Sequence, residues 1–428
     1  MADRSAAIGR RSFLRRAGAF SGVLGVWGGL DSLLKYQTQL FLLRKAPLQS
    51  DTPQERWKGA TVKEYRPLGR TGWRMSDISF GTSGLSDAGV LRLAIERGVN
   101  YIDTSPDYSE SCSERLVGEA IRGRRDKLFV VSKFCTAEGH LPVDTAVADV
   151  IRAVESSLVR LRTDYIDLVH VHACNSVERL MAPNFHEAFD RLKEQGKARF
   201  MGVSSHTPLL ETVMSEAVDS GRFDVIMVAY NFRSWPRLAA ILARAQERGV
   251  GVVAMKTLKG AYHTVLKDFT PDERESFTQA AFKWVNNDPR VSGLVVTMRN
   301  AEQVDEYLFA SGGKLDPADL LVLEKYDRLV AQQYCRPGCG DCLESCPAEL
   351  PIDDVLRYSM YFENYGDERR ARASYRKLRA VRTKARGPSE VSPLGGDTCV
   401  ACSAPCEDAC SFSLPIRSKM IKAHALMS

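Results

Sequence analysis

The chain has 428 residues, of which 44% are hydrophobic and 26% charged, an ordinary balance for a folded protein that excludes wholesale disorder. Its length accommodates one large domain and a smaller companion. The formal charge of +6 is spread out, except that nine residues between Arg369 and Arg386 are Lys or Arg. That run holds a single aromatic, Tyr375, and no nucleic-acid motif, so nucleic acid is not expected as a partner. It reads as a solvated helix face, or else as a surface for an acidic partner or membrane headgroups.

In chain order, Arg10-Arg11-Ser12-Phe13-Leu14 opens a basic segment, and Ala17 to Leu30 follows as a weakly apolar, glycine-rich stretch before Asp31. Fourteen residues are too few to span a bilayer's hydrocarbon core. The arrangement resembles a twin-arginine export signal. The resemblance implies the twin-arginine export machinery as a partner and a periplasmic or membrane-associated protein, cytoplasmic if the signal is not used. No convincing Ala-x-Ala site follows, so residues 1–45 form either a retained anchor, helped by the apolar Leu40 to Leu43, or a vestige.

From Asp77 to Ser311, short β-branched runs alternate with longer amphipathic stretches. Strands are expected at Ile78–Gly81, Tyr101–Thr104, Phe129–Lys133, Ile166–His172, Arg199–Ser204, Val225–Ala229, Gly251–Met255 and Gly293–Val296. Helical periodicity is clearest at Val143–Leu161, Pro236–Arg248 and Pro271–Asn286. Eight strands, each followed by a helical segment, predict an α/β fold, a closed (β/α)8 barrel. Chemistry in such a barrel lies at the C-terminal strand ends.

Those ends gather an acid, a phenol, an ammonium and an imidazole: Asp103, Tyr108 five residues on, Lys133, and His170 with His172. An ammonium beside a phenol lowers the phenol's pKa and makes it a better proton donor to a carbonyl oxygen near neutral pH. Aspartate would hold the lysine, and histidine would orient the carbonyl. Taken singly, each residue also suits packing or a structural ion pair. The ordered text Asn100-Tyr101-Ile102-Asp103-Thr104-Ser105, Tyr108, Ser113-Glu114, Val131-Ser132-Lys133, Asp164-Tyr165-Ile166-Asp167-Leu168, Gly196-Lys197-Ala198-Arg199, Gly202-Val203-Ser204 and Tyr230-Asn231 resembles the aldo/keto reductases over residues 63–311. The resemblance implies a catalytic tetrad of Asp103, Tyr108, Lys133 and His172, the spacing from Tyr165 selecting His172 over His170. It also implies NADP or NAD, with Ser204 and Asn231 near the nicotinamide and Leu258, Gly260, Arg299, Asn300 and Gln303 clamping the phosphates. Ser205, Met227 and Met255 depart from the family's Asn, Gln and stacking Tyr. Cys112, Cys135 and Cys174 follow Tyr108, Lys133 and His172 closely. They are either incidental small residues at loop starts, or Cys135 and Cys174 approach each other and respond to redox state or metal.

Eight cysteines close the chain in two runs, Cys335-x3-Cys339-x2-Cys342-x3-Cys346-Pro347 and Cys399-x2-Cys402-x3-Cys406-x3-Cys410. Four thiols within a dozen residues suit a cubane iron-sulfur core. Zinc knuckles use two separated pairs, and disulfide frameworks belong to small secreted scaffolds. Two [4Fe-4S] clusters are therefore expected, while the assignment of Cys346 and Cys410 to their own cluster or the other one stays open. Pro351-Ile352 and Pro415-Ile416 suggest two similar turn-helix units. The whole reads as a signal and linker at 1–45, a barrel at 63–315 and a small, mainly helical, ferredoxin-like domain at 316–428. The expected activity is interconversion of a small carbonyl compound and its alcohol, with an electron-transfer protein as a possible partner. The alternative is an electron-transfer protein whose barrel is a docking scaffold without hydride chemistry.

Overall fold

A computed structural model describes residues 54–206, 209–233, 238–258, 276–330, 335–336, 339–363, 368–386 and 396–428. The segment 1–45, Gly260 and the prolines at 236 and 271 lie outside the described residues. Every structural statement below concerns the unit Lys45–Ser428.

Eight parallel strands close into a barrel in chain order: β1 (Ile78–Gly81), β2 (Tyr101–Asp103), β3 (Phe129–Lys133), β4 (Ile166–Val171), β5 (Ala198–Ser205), β6 (Val225–Ala229), β7 (Gly251–Met255) and β8 (Gly293–Val296), which pairs back onto β1. The expected (β/α)8 barrel is present. Strand parity explains its two cores. Tyr101, Phe129, Val131, Leu168, Val225, Met227, Val253 and Val295 fill the interior, while the intervening Ile102, Val130, Val169, Ile226, Val252 and Leu294 pack against the surrounding helices. Both faces are dry, which is why these strands are almost uninterrupted runs of apolar residues. An antiparallel hairpin, Tyr65–Pro67 with Arg74–Ser76, presses the fully buried Leu68 and Met75 into the interior from the N-terminal end.

Several boundaries differ from expectation for local reasons. At β2, Thr104 still donates its N–H to the Val131 carbonyl, but its own carbonyl turns to accept from Lys133 Nζ at 2.7 Å, so the ladder stops at Asp103. The helix expected from Val143 begins at Val147, because Asn184 Nδ2 bonds the Val143 and Thr145 carbonyls at 2.8 and 2.6 Å and holds a turn there.

Helix Pro317–Val330, at the joint between the two parts, packs on the barrel. Tyr326 stacks on Phe277 with centroids 4.1 Å apart, and Asp327 pairs with the buried Arg233 at 2.5 Å. Beyond it, helices Ile352–Glu363, Glu368–Arg386 and Ile416–Met427 enclose a second core of Leu350, Ile352, Val355, Tyr375, Leu414, Ile416 and Met420. This part is built twice over. In each half a Leu-Pro-Ile turn starts a helix: the Ile352 and Ile416 N–H groups donate to Leu350 and Leu414 at 2.8 Å, and Glu349 and Ser413 take left-handed φ of 49° and 50°. Among the described residues, no helix is long and apolar enough to cross a membrane.

Candidate active site

The chemistry-bearing residues of the sequence converge where β2, β3 and β4 end. Lys133 is the last inward residue of β3, and its Nζ donates to both Asp103 oxygens at 2.8 Å and to the Thr104 carbonyl at 2.7 Å. Both side chains are almost wholly shielded from solvent. Burial pushes the Asp103 carboxyl up, opposed by the Lys133 ammonium. The ammonium lies 5.0 Å from the centre of the Tyr108 ring, and the His172 ring meets Tyr108 edge-on at 5.9 Å. Burial moves the His172 imidazole well below its ordinary value, with His140 and Lys133 acting in the same direction, so the ring is neutral near pH 7.

His170 sits one layer deeper, level with Lys133 across the β3–β4 ladder. Its ring occupies space that only glycine leaves: a Cβ on Gly202 of β5 would come within 2.5 Å of His170 Nδ1. The two cysteines considered as a pair have different partners. Cys135 Sγ meets His172 Nδ1 at 3.2 Å, whereas Cys174 is buried in the core between strands and helices and donates to the Ser176 carbonyl at 3.3 Å. Two residues not singled out by sequence reasoning join this corner. Asp107 precedes Tyr108, and its carboxylate accepts from Ser105 Oγ. His140 faces Cys135 across a tight antiparallel turn.

The β5–β8 side is arranged differently. Ser204 Oγ accepts from the Ala173 N–H at 3.1 Å, while the Asn231 amide donates to the Lys256 carbonyl at 3.1 Å and accepts from the Arg233 N–H at 3.0 Å. Both expected nicotinamide anchors therefore brace the strand ends, and Met227 lies in the barrel interior with Met255 packed at its edge. The phosphate side fits a nucleotide better. Asn300 caps the helix Ala301–Phe309 by accepting from the Gln303 N–H at 2.9 Å, and Gln303 Oε1 accepts from the Arg299 N–H at 2.8 Å. Gln303 Nε2 is buried without a partner among the described residues, and the Arg299 guanidinium lies over Gly84, 3.5 Å from where a Cβ would stand. An anion held by these donors would satisfy the orphaned amide at a helix N-terminus. Leu258 is buried against the outer core.

The C-terminal domain covers this mouth. Arg357 Nη1 meets His206 Nδ1, just past β5, at 3.2 Å; Lys256 Nζ, just past β7, donates to Tyr361 Oη at 3.4 Å; and Met360 packs against both cores. On the opposite rim Arg369 pairs with Glu110 at 3.2 Å. Below the β6 end, Arg336 donates to the Arg233 carbonyl at 3.1 Å and stacks on Phe412 at 3.9 Å.

Within that domain the eight thiols separate into two sets. Cys335, Cys339, Cys342 and Cys410 line one cavity with Leu356, Phe412 and Leu414, and Cys346, Cys399, Cys402 and Cys406 line the other with Leu350, Ile352, Ile416 and Met420. The fourth cysteine of each run therefore crosses to the other set. None is in a disulfide. Backbone N–H groups of Leu350 and Ala404 point at Cys346 and Cys402 sulfurs at 3.4 and 3.3 Å. Burial, followed by the neighbouring Cys335 and Cys410 sulfurs, pushes the Cys342 thiol up to about 12.

Comparison with known proteins agrees with the barrel. Residues 77–276 match the model of the aldo/keto reductase family. L-galactose dehydrogenase of Arabidopsis thaliana is 29% identical over 58% of this chain and 88% of its own length. Methylglyoxal reductase YeaE of Escherichia coli is 36% identical over 32% of this chain, which spans only 45% of that protein. Among solved structures, the holo form of an aldo-keto reductase from Bacillus halodurans superposes with a TM-score of 0.51 at 25% identity, over 61% of this chain and 95% of that one.

Proposed function

We propose that the barrel is an aldo/keto reductase domain and the chain an NAD(P)-dependent oxidoreductase that interconverts a small carbonyl compound and its alcohol, while the C-terminal domain carries two [4Fe-4S] clusters over the barrel mouth. The observation that carries the catalytic half is the buried Lys133–Asp103 pair beside the Tyr108 ring. When bound, the nucleotide supplies the hydride. Tyr108 gives its hydroxyl proton to the carbonyl oxygen, and the Lys133 cation favours the phenolate left behind. Asp103 and the Thr104 carbonyl fix Nζ in one place, so that charge needs no reorganisation. His172, neutral, donates a ring N–H to the same carbonyl oxygen. Arg299, Asn300 and Gln303 would hold the phosphates, with Leu258 nearby; Gly260, also expected there, lies outside the described residues. Arg299 is the residue that would meet a 2′-phosphate, which favours NADP over NAD.

The donor sets suit the clusters: four converging thiols per cavity, apolar walls, and backbone N–H groups aimed at sulfur. Cys335, Cys339, Cys342 and Cys410 would hold one, and Cys346, Cys399, Cys402 and Cys406 the other. Clusters held there would supply single-electron transfer, so an electron-transfer protein is the partner this domain fits. Export by the twin-arginine route would bring a folded, cluster-loaded protein across the membrane. A second reading, an electron-transfer protein whose barrel serves as a scaffold, is favoured by Met227 and Met255 and by the engagement of Ser204 and Asn231 with backbone. Calorimetric titration of NADPH and NADH into anaerobic, cluster-replete protein separates the two. Saturable binding is expected, tighter for NADPH; no binding of either nucleotide would leave the scaffold reading.

A further inference from the structure

We propose that Asp107, Cys135, His140 and His172 form a binding site for one divalent first-row transition ion of the zinc type, distinct from the eight-cysteine domain. One donor atom from each of the four lies within 4.8 Å of the other three. Three chain segments at one corner of the barrel mouth bring them together. Asp107 comes from the loop after β2, oriented by Ser105. His172 stands immediately past the end of β4. Cys135 and His140 are direct cross-strand partners in the two-residue-strand hairpin that follows β3, a turn that needs Gly139 at a φ of 130°.

The spacing of the donors decides between a metal site and an ordinary polar cluster. Cys135 Sγ is 3.2 Å from His172 Nδ1, Asp107 Oδ1 is 3.6 Å from the same nitrogen, and Asp107 Oδ2 is 3.8 Å from His140 Nε2. The carboxylate contacts are too long for hydrogen bonds, which run to about 3.2 Å. A tetrahedral shell with Zn–N and Zn–O near 2.0–2.2 Å and Zn–S near 2.3 Å sets its ligands roughly 3.3 to 3.6 Å apart. The two carboxylate–imidazole contacts are thus spaced as ligands around a common centre, while the Cys135–His172 contact is a hydrogen bond that coordination of both atoms would replace. One thiolate, two imidazoles and one carboxylate select zinc or another borderline ion over magnesium or calcium, which take oxygen shells. The exposed edge of His140 gives an ion access, and binding displaces the Cys135 thiol proton to solvent. Coordination at His172 Nδ1 places the remaining ring proton on Nε2, the tautomer needed for a donor beside Tyr108. Ion binding itself requires neither nucleotide nor turnover, so it stands or falls separately from the reductase reading.

The test uses the full chain with its clusters in place, equilibrated with zinc chloride and then desalted, with zinc and iron measured per chain and the zinc K-edge recorded by X-ray absorption. The expected result is one zinc with a single sulfur neighbour at about 2.3 Å and the remaining neighbours nitrogen or oxygen at about 2.0–2.2 Å. The double variant Cys135→Ser/His140→Gln should retain at least tenfold less zinc with iron unchanged. No retained zinc, an all-sulfur shell, or full zinc retention in the double variant would overturn the site. Because the absorption spectrum of the unmodified protein decides by itself, a variant that fails to fold does not rescue the proposal.

Discussion

The two sides of the barrel mouth use their strand ends for different purposes. At β2 to β4 the inward polar groups face one another: Asp103 on Lys133, Lys133 beside Tyr108, Tyr108 against His172. At β5 to β7 the corresponding groups face backbone or the second domain: Ser204 and Asn231 brace neighbouring strand ends, while His206 and Lys256 meet Arg357 and Tyr361. The same scaffold gathers an acid, a phenol, an ammonium and an imidazole on one side and turns the other towards the cysteine-rich domain. A family resemblance carried over whole would miss that division, since it treats both sides as parts of one nucleotide site.

The division is open to attack first where the effect is largest. Tyr108→Phe removes only a hydroxyl from the chemical side. Loss of general acid catalysis should lower kcat roughly 10²- to 10⁴-fold, with nucleotide affinity changed less than about twofold. Steady-state rates and calorimetry on the same preparation check both halves, and wild-type rates would remove Tyr108 from the mechanism. A paired stability measurement comes next. Lys133→Met leaves Asp103 buried without its cation and should cost about 3–5 kcal/mol in urea unfolding. Ser204→Ala, on the other side, removes a single hydrogen bond to a backbone N–H and should cost about 1 kcal/mol. Equal losses would mean that the two sides are held together in the same way.

Much of the β2–β4 side was legible because the relevant periods are short. A strand buried on both faces reads as a continuous apolar run, and period-two parity then puts Asp103, Lys133 and His172 inside once Tyr101, Val131 and Leu168 are inside. The cysteine runs were legible for the same reason, as their ligands are neighbours in sequence. The crossing of Cys346 and Cys410 was not, because it depends on how two repeated halves pack around Leu350, Ile352, Leu414 and Ile416. The corner formed by Asp107 and His140 was also missed. Its members come from three loops with no shared spacing, and the only local hint was a cysteine and a histidine flanking a turn at Gly139. Nor did any sequence period show that Tyr361 and Arg357 would reach the ends of β7 and β5.

The smallest expected effect is the most discriminating for the β5–β7 side. Met255 ends β7 at the edge of the interior core and is only partly buried, so an aromatic ring there has somewhere to lie. If the side still accommodates a nicotinamide and merely lacks a flat platform, Met255→Tyr supplies one. Offset stacking is worth about 0.5–1.5 kcal/mol, so NADPH should bind roughly two- to tenfold more tightly, with the Lys256–Tyr361 contact intact. If docking of the C-terminal domain has claimed the space, the added ring competes with Tyr361 rather than with solvent. NADPH affinity would then stay flat or fall, and the domain would become more sensitive to proteolysis between residues 331 and 367. Calorimetry with limited proteolysis on one variant therefore reports whether the methionine is a lost contact or a consequence of the second domain's arrival.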